Sequence, residues 1–205
     1  MKAWHFSTKP KLTHDDNRAI VAGETLTVDG KLSLCNHGLH ASVNPLDAYR
    51  YNPGPFVSRV ELGGDIIKGD DKLVSSLRTC LWIYDAVEIL KHFGRLCALD
   101  VAPLWDAPDI VIRWLRTGDE SIRKQAWDES LEARRKNSSY YYYYSYYHYS
   151  YSSYYYSSSY SSYSSSYHSY YATQAIRQSG GDVEAYEAKL NRRLTRMLLA
   201  GRPQP

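Results

Sequence analysis

The chain has 205 residues, with 25 Lys and Arg against 22 Asp and Glu, for a formal net charge of +3. That length suits one domain with an appendage, and the charge is too small to declare a nucleic-acid-binding protein by itself. The three cysteines, Cys35, Cys80 and Cys97, are odd in number and follow no signal peptide. No apolar run approaches the ~18 residues of a membrane span, so a reducing cytoplasmic setting without membrane contact is expected.

Charge is unevenly placed. Residues 1–136 carry 19 basic and 19 acidic side chains, residues 137–171 carry none, and residues 172–205 carry six basic against three acidic. The excess therefore sits at the C-terminal end.

Lys2–Phe6 is short and apolar and reads as a first strand. Ala19–Ala22, Glu24–Val28 and Lys31–Leu34 read as further strands, with Val28-Asp29-Gly30-Lys31 as a hairpin signal. Asn44 can cap a short helix that opens on Pro45, and Pro53-Gly54-Pro55 stops it. Phe56–Leu62 reads as a strand, Gly63-Gly64 as a turn, and Asp65–Lys68 as a continuation of the sheet. Leu73–Tyr84 reads as extended. The period then changes. Asp85 with Glu88 forms a capping-box pattern, and Val87, Leu90, Phe93 and Leu96/Cys97 follow at helical spacing, which predicts a helix over Asp85–Leu99. Pro103 is expected to end it.

Pro108 opens a helix to Arg116 with Ile110, Val111, Trp114 and Leu115 on its buried side. Asp119 caps a charged helix over Glu120–Lys136, with Ile122, Ala126, Trp127 and Leu131 as contacts. Asp182 caps Val183–Ala200, whose Val183, Tyr186, Leu190, Leu194, Met197 and Leu198 share a face, and Gly201 and Pro203 stop it. The expected fold class is α+β: a small β-rich N-terminal domain over 1–104, connecting helices over 105–136, a long Tyr/Ser-rich arm over 137–171, and an amphipathic C-terminal helix within 172–205.

The arm contains a tract, residues 138–171, of 17 Tyr, 15 Ser and 2 His. Strict alternation fails. A 4-3-4-3 spacing fits Tyr142, Tyr146, Tyr149, Tyr156, Tyr160, Tyr163, Tyr167 and Tyr170, with Ser153 as the one departure, and this is the seam pattern of a helix. Propensity opposes it. Tyr and Ser each cost about 0.5 kcal/mol relative to Ala, roughly 15 kcal/mol over the tract. A helix here must therefore pack its stripe on the globular domain, on the C-terminal helix or on another copy. Stacked β-structure and disorder stay open beside it.

Cys35-x-His37-x-x-His40 offers three possible zinc ligands, with His5 as a possible fourth, but the spacing is not that of a standard finger and turn residues explain it as well. No cofactor is expected. Tyr rings can also stack on nucleic-acid bases, and Arg134-Arg135-Lys136 with Arg192-Arg193 and Arg196 flank the tract. Within the tract, however, no Lys or Arg follows a phosphate backbone.

Two resemblances add to this. Cys35-Asn36-His37-Gly38-Leu39-His40-Ala41-Ser42, Pro45, Asp47-Ala48, Tyr51, Pro53-Gly54, Gly69-Asp70-Asp71-Lys72-Leu73-Val74, Leu104–Arg123 and Leu190-Asn191-Arg192-Arg193-Leu194 resemble an uncharacterised family of phage and prophage proteins. That resemblance implies a small N-terminal domain with a repetitive, usually Ala-rich tail, and no activity. Tyr and Ser stand here where Ala is usual. Gly38-Leu39-His40-Ala41-Ser42, with the helix and strand after it, is loosely similar to the central segment of ADP-ribosyltransferase-like folds, which would make His5 and His40 dinucleotide-holding residues. No glutamate suits the catalytic position. The leading expectation is a non-enzymatic interaction or assembly protein that binds itself or a protein partner through the Tyr face.

Overall fold

The computed structural model describes residues 1–12, 16–52, 54–136 and 158–202, with the backbone alone for 134–136 and 158–167. It divides into two compact units, residues 1–87 with 194–205, and residues 88–193. The fold class is α+β, as expected, but the boundary lies at residue 87 and not at 104. The last residues of the C-terminal helix also belong with the first unit.

The first unit is built on strands β1 (Lys2–Ser7), β2 (Thr25–Thr27), β3 (Leu39–Ala41), β4 (Phe56–Lys68) and β5 (Leu73–Asp85), with helix α1 (Pro45–Tyr51). All pairings are antiparallel, in the order β1-β4-β5-β2. The edge of β5 is shared, because β3 pairs with its Leu73–Ser75 end and β2 with Leu77–Thr79. β3 also turns back onto β1, where Trp4 and Ser42 exchange backbone hydrogen bonds of 2.8 and 2.9 Å.

One face of the sheet carries a cluster of Ala3, Ala41, Val60, Leu62 and Leu73. The other parity of β1 places Trp4 and Phe6 among aromatic rings. Phe6 lies 4.8 Å from Tyr49 between ring centres, and Trp4 lies 5.8 Å from Trp82. Trp82 in turn meets Tyr84, whose hydroxyl donates to the Leu198 carbonyl at 2.6 Å. That bond ties the returning C-terminal residues to the sheet.

Three expectations need correction. Ala19–Ala22 and Lys31–Leu34 are not strands; each makes one isolated bridge. Their backbone groups are taken by local closures, Leu12 to Arg18 and Ser33 to His37. Gly63-Gly64 is not a turn either. β4 runs through it as a β-bulge, with Gly64 at φ +64° and the Asp65 amide donating to Ser76 Oγ at 2.9 Å. A Cβ at Gly64 would collide with that same Oγ, so glycine is required twice over. Strand β3 was hidden because the sequence there reads as turn residues. Gly38, at φ +124°, lets the chain pass against Val74 and Leu32 with no room for a side chain.

The second unit is helical. α2 (Val87–Val101) begins where Asp85 accepts from the Val87 amide, and buries Leu90, Phe93, Cys97 and Val101. Pro103 does not end α2. It sits in a 3-10 turn, Ala102–Trp105, that follows. α3 (Asp109–Thr117) buries Val111, Trp114 and Leu115 and packs against α4 (Arg123–Lys136). Glu120–Ile122 forms a 3-10 turn before α4 where helix was expected, with Asp119 as its cap. α5 (Ser158–Gln178) and α6 (Val183–Ala200) follow. Asp182 caps α6 by accepting from the Ala185 amide, as the sequence predicts. No helix among the described residues is long and apolar enough to cross a membrane.

Candidate functional site

The sheet unit holds a buried arginine without a counter-ion among the described residues. Strand alternation puts His5 on the same side of β1 as Ala3, and register places Ser58 across from His5 on β4. His5 Nδ1 and Ser58 Oγ are 3.3 Å apart, and Ser58 Oγ donates to the His5 carbonyl at 3.2 Å. That donation uses the serine proton, so Nδ1 is the donor to Oγ and Nε2 is the basic nitrogen.

Arg78 stands on β5 opposite Leu62 and is 3% exposed. Its Nη1 donates to the His40 carbonyl at 2.6 Å. Its Nη2 is buried and has no hydrogen-bond partner among the described residues. Burial pushes its pKa down to about 10, so it remains a cation at neutral pH. Burial also holds His5 well below its usual range, and the charges of Arg78 and then His40 lower it further. His5 nevertheless keeps part of its surface open to solvent.

Among the described residues no carboxylate bonds Arg78 or His5. The field of Asp16 reaches Arg78, but Asp16 itself is held by Arg18 at 2.6–3.1 Å. His5 and His40 were foreseen as a pair. Arg78, which donates to the His40 carbonyl and whose charge lowers the pKa of His5, was not. The available signal was its position two residues before Cys80 in an alternating strand, which points both side chains to one side. A lone arginine in a strand is normally read as solvated.

The zinc expectation meets a different arrangement. His40 Nε2 accepts from the Cys35 amide at 3.0 Å, and His37 Nε2 lies 2.7 Å from the Asp29 carbonyl. Cys35 Sγ takes Lys72 Nζ at 2.7 Å. Among the described residues no group of three or more His, Cys, Asp or Glu is placed to hold a metal ion. Lys72 also stacks over Tyr51, whose hydroxyl donates to Asp71 at 2.5 Å. These are surface ties around the Gly69–Lys72 turn.

The tyrosine stripe falls partly outside the described residues, which do not include Tyr142, Tyr146, Tyr149 or Tyr156. Tyr160, Tyr163, Tyr167 and Tyr170 lie on α5, so this part of the tract is helical. Its buried side chains are His168, Ser169, Ala172, Thr173 and Ala175, whereas Tyr170 is 48% exposed. Of the partners expected for the stripe, the chain's own core does not cover Tyr170. At 100° per residue Tyr170 stands about 160° from Ala172, so small residues make the contact and this stripe position faces away from it.

The second unit has its own charged cluster, and it is fully paired. Asp100 on α2 receives Arg193 at 2.8 and 3.0 Å, Lys189 at 3.0 Å and the Tyr186 hydroxyl at 3.2 Å, all from α6. Burial pushes the Asp100 carboxyl up, but hydrogen bonds from Arg193 and Lys189 outweigh it and hold the group below its usual range. Beside it, burial pushes the Cys97 thiol far up, so it is an inert core residue.

Residues 9–92 match a domain of unknown function, DUF7666. The match covers less than half of the chain and includes His40, Ser58 and Arg78, while His5 precedes it. No curated protein and no solved structure matches. Over that stretch the chain is similar to a family whose description assigns no activity.

Proposed function

We propose that this is a non-enzymatic assembly protein that binds a second copy of itself through the tyrosine face of its tract, in the cytoplasm of a phage-carrying bacterium. The observation that carries the reading is the outward position of Tyr170 on a helix whose opposite side is buried through small residues. Tyr160, Tyr163 and Tyr167 precede Tyr170 at helical spacing on the same helix. An aromatic stripe of this length left in water is an association surface.

Magnitudes support the reading. Covering about 50 Å² per ring at about 25 cal/mol per Å² gives about 1 kcal/mol for each stripe tyrosine. Association costs on the order of 4–15 kcal/mol, so most of the eight rings must be covered at once. A second copy suits this better than a charged partner, because the tract carries no formal charge and two such tracts meet without repulsion.

The test uses the full chain, because residues 194–205 belong with the sheet unit and a shortened chain would remove part of it. Sedimentation velocity should show an oligomer for the wild type and a monomer for the variant with Tyr160, Tyr163, Tyr167 and Tyr170 all changed to Ser. A monomeric wild type sinks the reading, and so does an undiminished oligomer in the variant. Base stacking is the alternative, and it predicts binding of single-stranded nucleic acid that weakens as salt rises. An ADP-ribosyltransferase-like enzyme is favoured only by the nearness of His5 to His40, and no carboxylate among the described residues bonds His5.

A further inference from the structure

An isolated ion in a protein interior costs several kcal/mol, and native interiors offset that cost with a counter-charge or do without the ion. Arg78 has neither remedy. It is 3% exposed, one Nη is used on a neutral carbonyl, and the other has no partner among the described residues. Burial of the side chain cannot be a packing convenience, since a methionine would fill similar volume without a charge.

The surroundings deepen the anomaly. The charge of Arg78 reaches His5, so a proton on that ring would add to the positive charge already there. Ser58 Oγ lies against His5 and can still accept or turn. Among the described residues the carboxylate whose field reaches Arg78 is Asp16, and it is engaged by Arg18. A guanidinium with one free edge is suited to an oxygen anion, because its N–H groups are fixed in a plane and bind such oxygens more strongly than neutral acceptors.

We infer that the free Nη2 edge of Arg78, beside the His40 carbonyl that Nη1 already holds, is a binding site for the oxyanion of a small molecule, a phosphate or a carboxylate. The anion supplies the missing counter-charge. It must be compact, since Arg78 is almost wholly enclosed. A polymer backbone does not fit that description. The site does not involve the tyrosine tract and stands or falls apart from assembly.

The experiment titrates the full-length protein with sodium phosphate, with sodium acetate and with sodium chloride at matched ionic strength. Thermal unfolding and the Nε–H resonance of Arg78 are followed together. A rise in melting temperature with phosphate over chloride, accompanied by movement of the Arg78 resonance, identifies a phosphate group. The same response to acetate identifies a carboxylate, and a response to both identifies a general oxyanion site. Arg78→Met should remove the oxyanion-specific rise. No rise over chloride with either anion overturns the proposal, as does an equal rise in Arg78→Met. If Arg78→Met does not fold, the wild-type resonance decides: an Arg78 signal unmoved by both oxyanions overturns the proposal.

Discussion

Two arginines, one in each unit, make opposite use of burial. Arg193 meets Asp100 through two hydrogen bonds, with Lys189 and Tyr186 on the same carboxylate. Arg78 meets a carbonyl and nothing else among the described residues. A paired charge holds two helices in register and is explained by the fold. An unpaired one works against the fold and is explained only by something the fold must do. The helical unit can therefore be read as a scaffold, and the sheet unit as the part with a reason to bind.

The sharpest way to break this contrast is to remove the counter-charge where it exists. Asp100→Ala leaves two cations without their carboxylate, and we expect a loss of about 3 kcal/mol in chemical denaturation. Removing the charge where it is unpaired should have the opposite sign. Arg78→Met is expected to raise the stability of the ligand-free protein by about 1–2 kcal/mol, as apolar replacements of buried ions often do. If both variants lose stability equally, the two arginines are not different in kind.

Acid separates the units more gently. The folded pKa of His5 lies below its unfolded value of 6.5, so the unfolded chain takes up the proton first. The contribution of His5 is intact above about pH 6.5 and is lost as pH falls toward its folded pKa. For Asp100 the folded pKa lies below the ordinary 3.8, and its contribution is lost only as pH falls through that lower value. Stability measured against pH should thus begin to fall near neutrality, and His5→Gln should flatten that first decline. Smallest of all is Tyr170→Ser, which should change monomer stability by no more than about 0.5 kcal/mol, because the ring is half in water. A larger loss would mean that Tyr170 is part of the core and not of a surface.

Most of the elements were legible in the sequence. Asp85, Asp119 and Asp182 announced their helix starts because a cap is a local event, decided within three residues. The apolar spacing of Leu90, Phe93 and Cys97 did the same for α2. What could not be read was decided by distant partners. Gly63-Gly64 looks like a turn, and only pairing with β5 across eleven residues makes it a bulge. Leu39–Ala41 becomes a strand because Leu73–Ser75 and Trp4 lie beside it. The candidate site was half visible. His5 and His40 attracted notice as chemically versatile residues, whereas Arg78 drew none, since burial without a counter-charge is a property of the folded chain and leaves no mark on composition.

The bond from Tyr84 to the Leu198 carbonyl has a consequence for biosynthesis. The sheet unit is made of the first 87 residues and of residues after 193, so its final contacts cannot form on the ribosome until the whole intervening stretch has emerged. A chain that stalls or is cut within the tyrosine–serine tract leaves the Tyr84 hydroxyl without its acceptor and the aromatic face of the sheet open. The first unit thus makes its Tyr84 contact only once the chain has been made through Leu198.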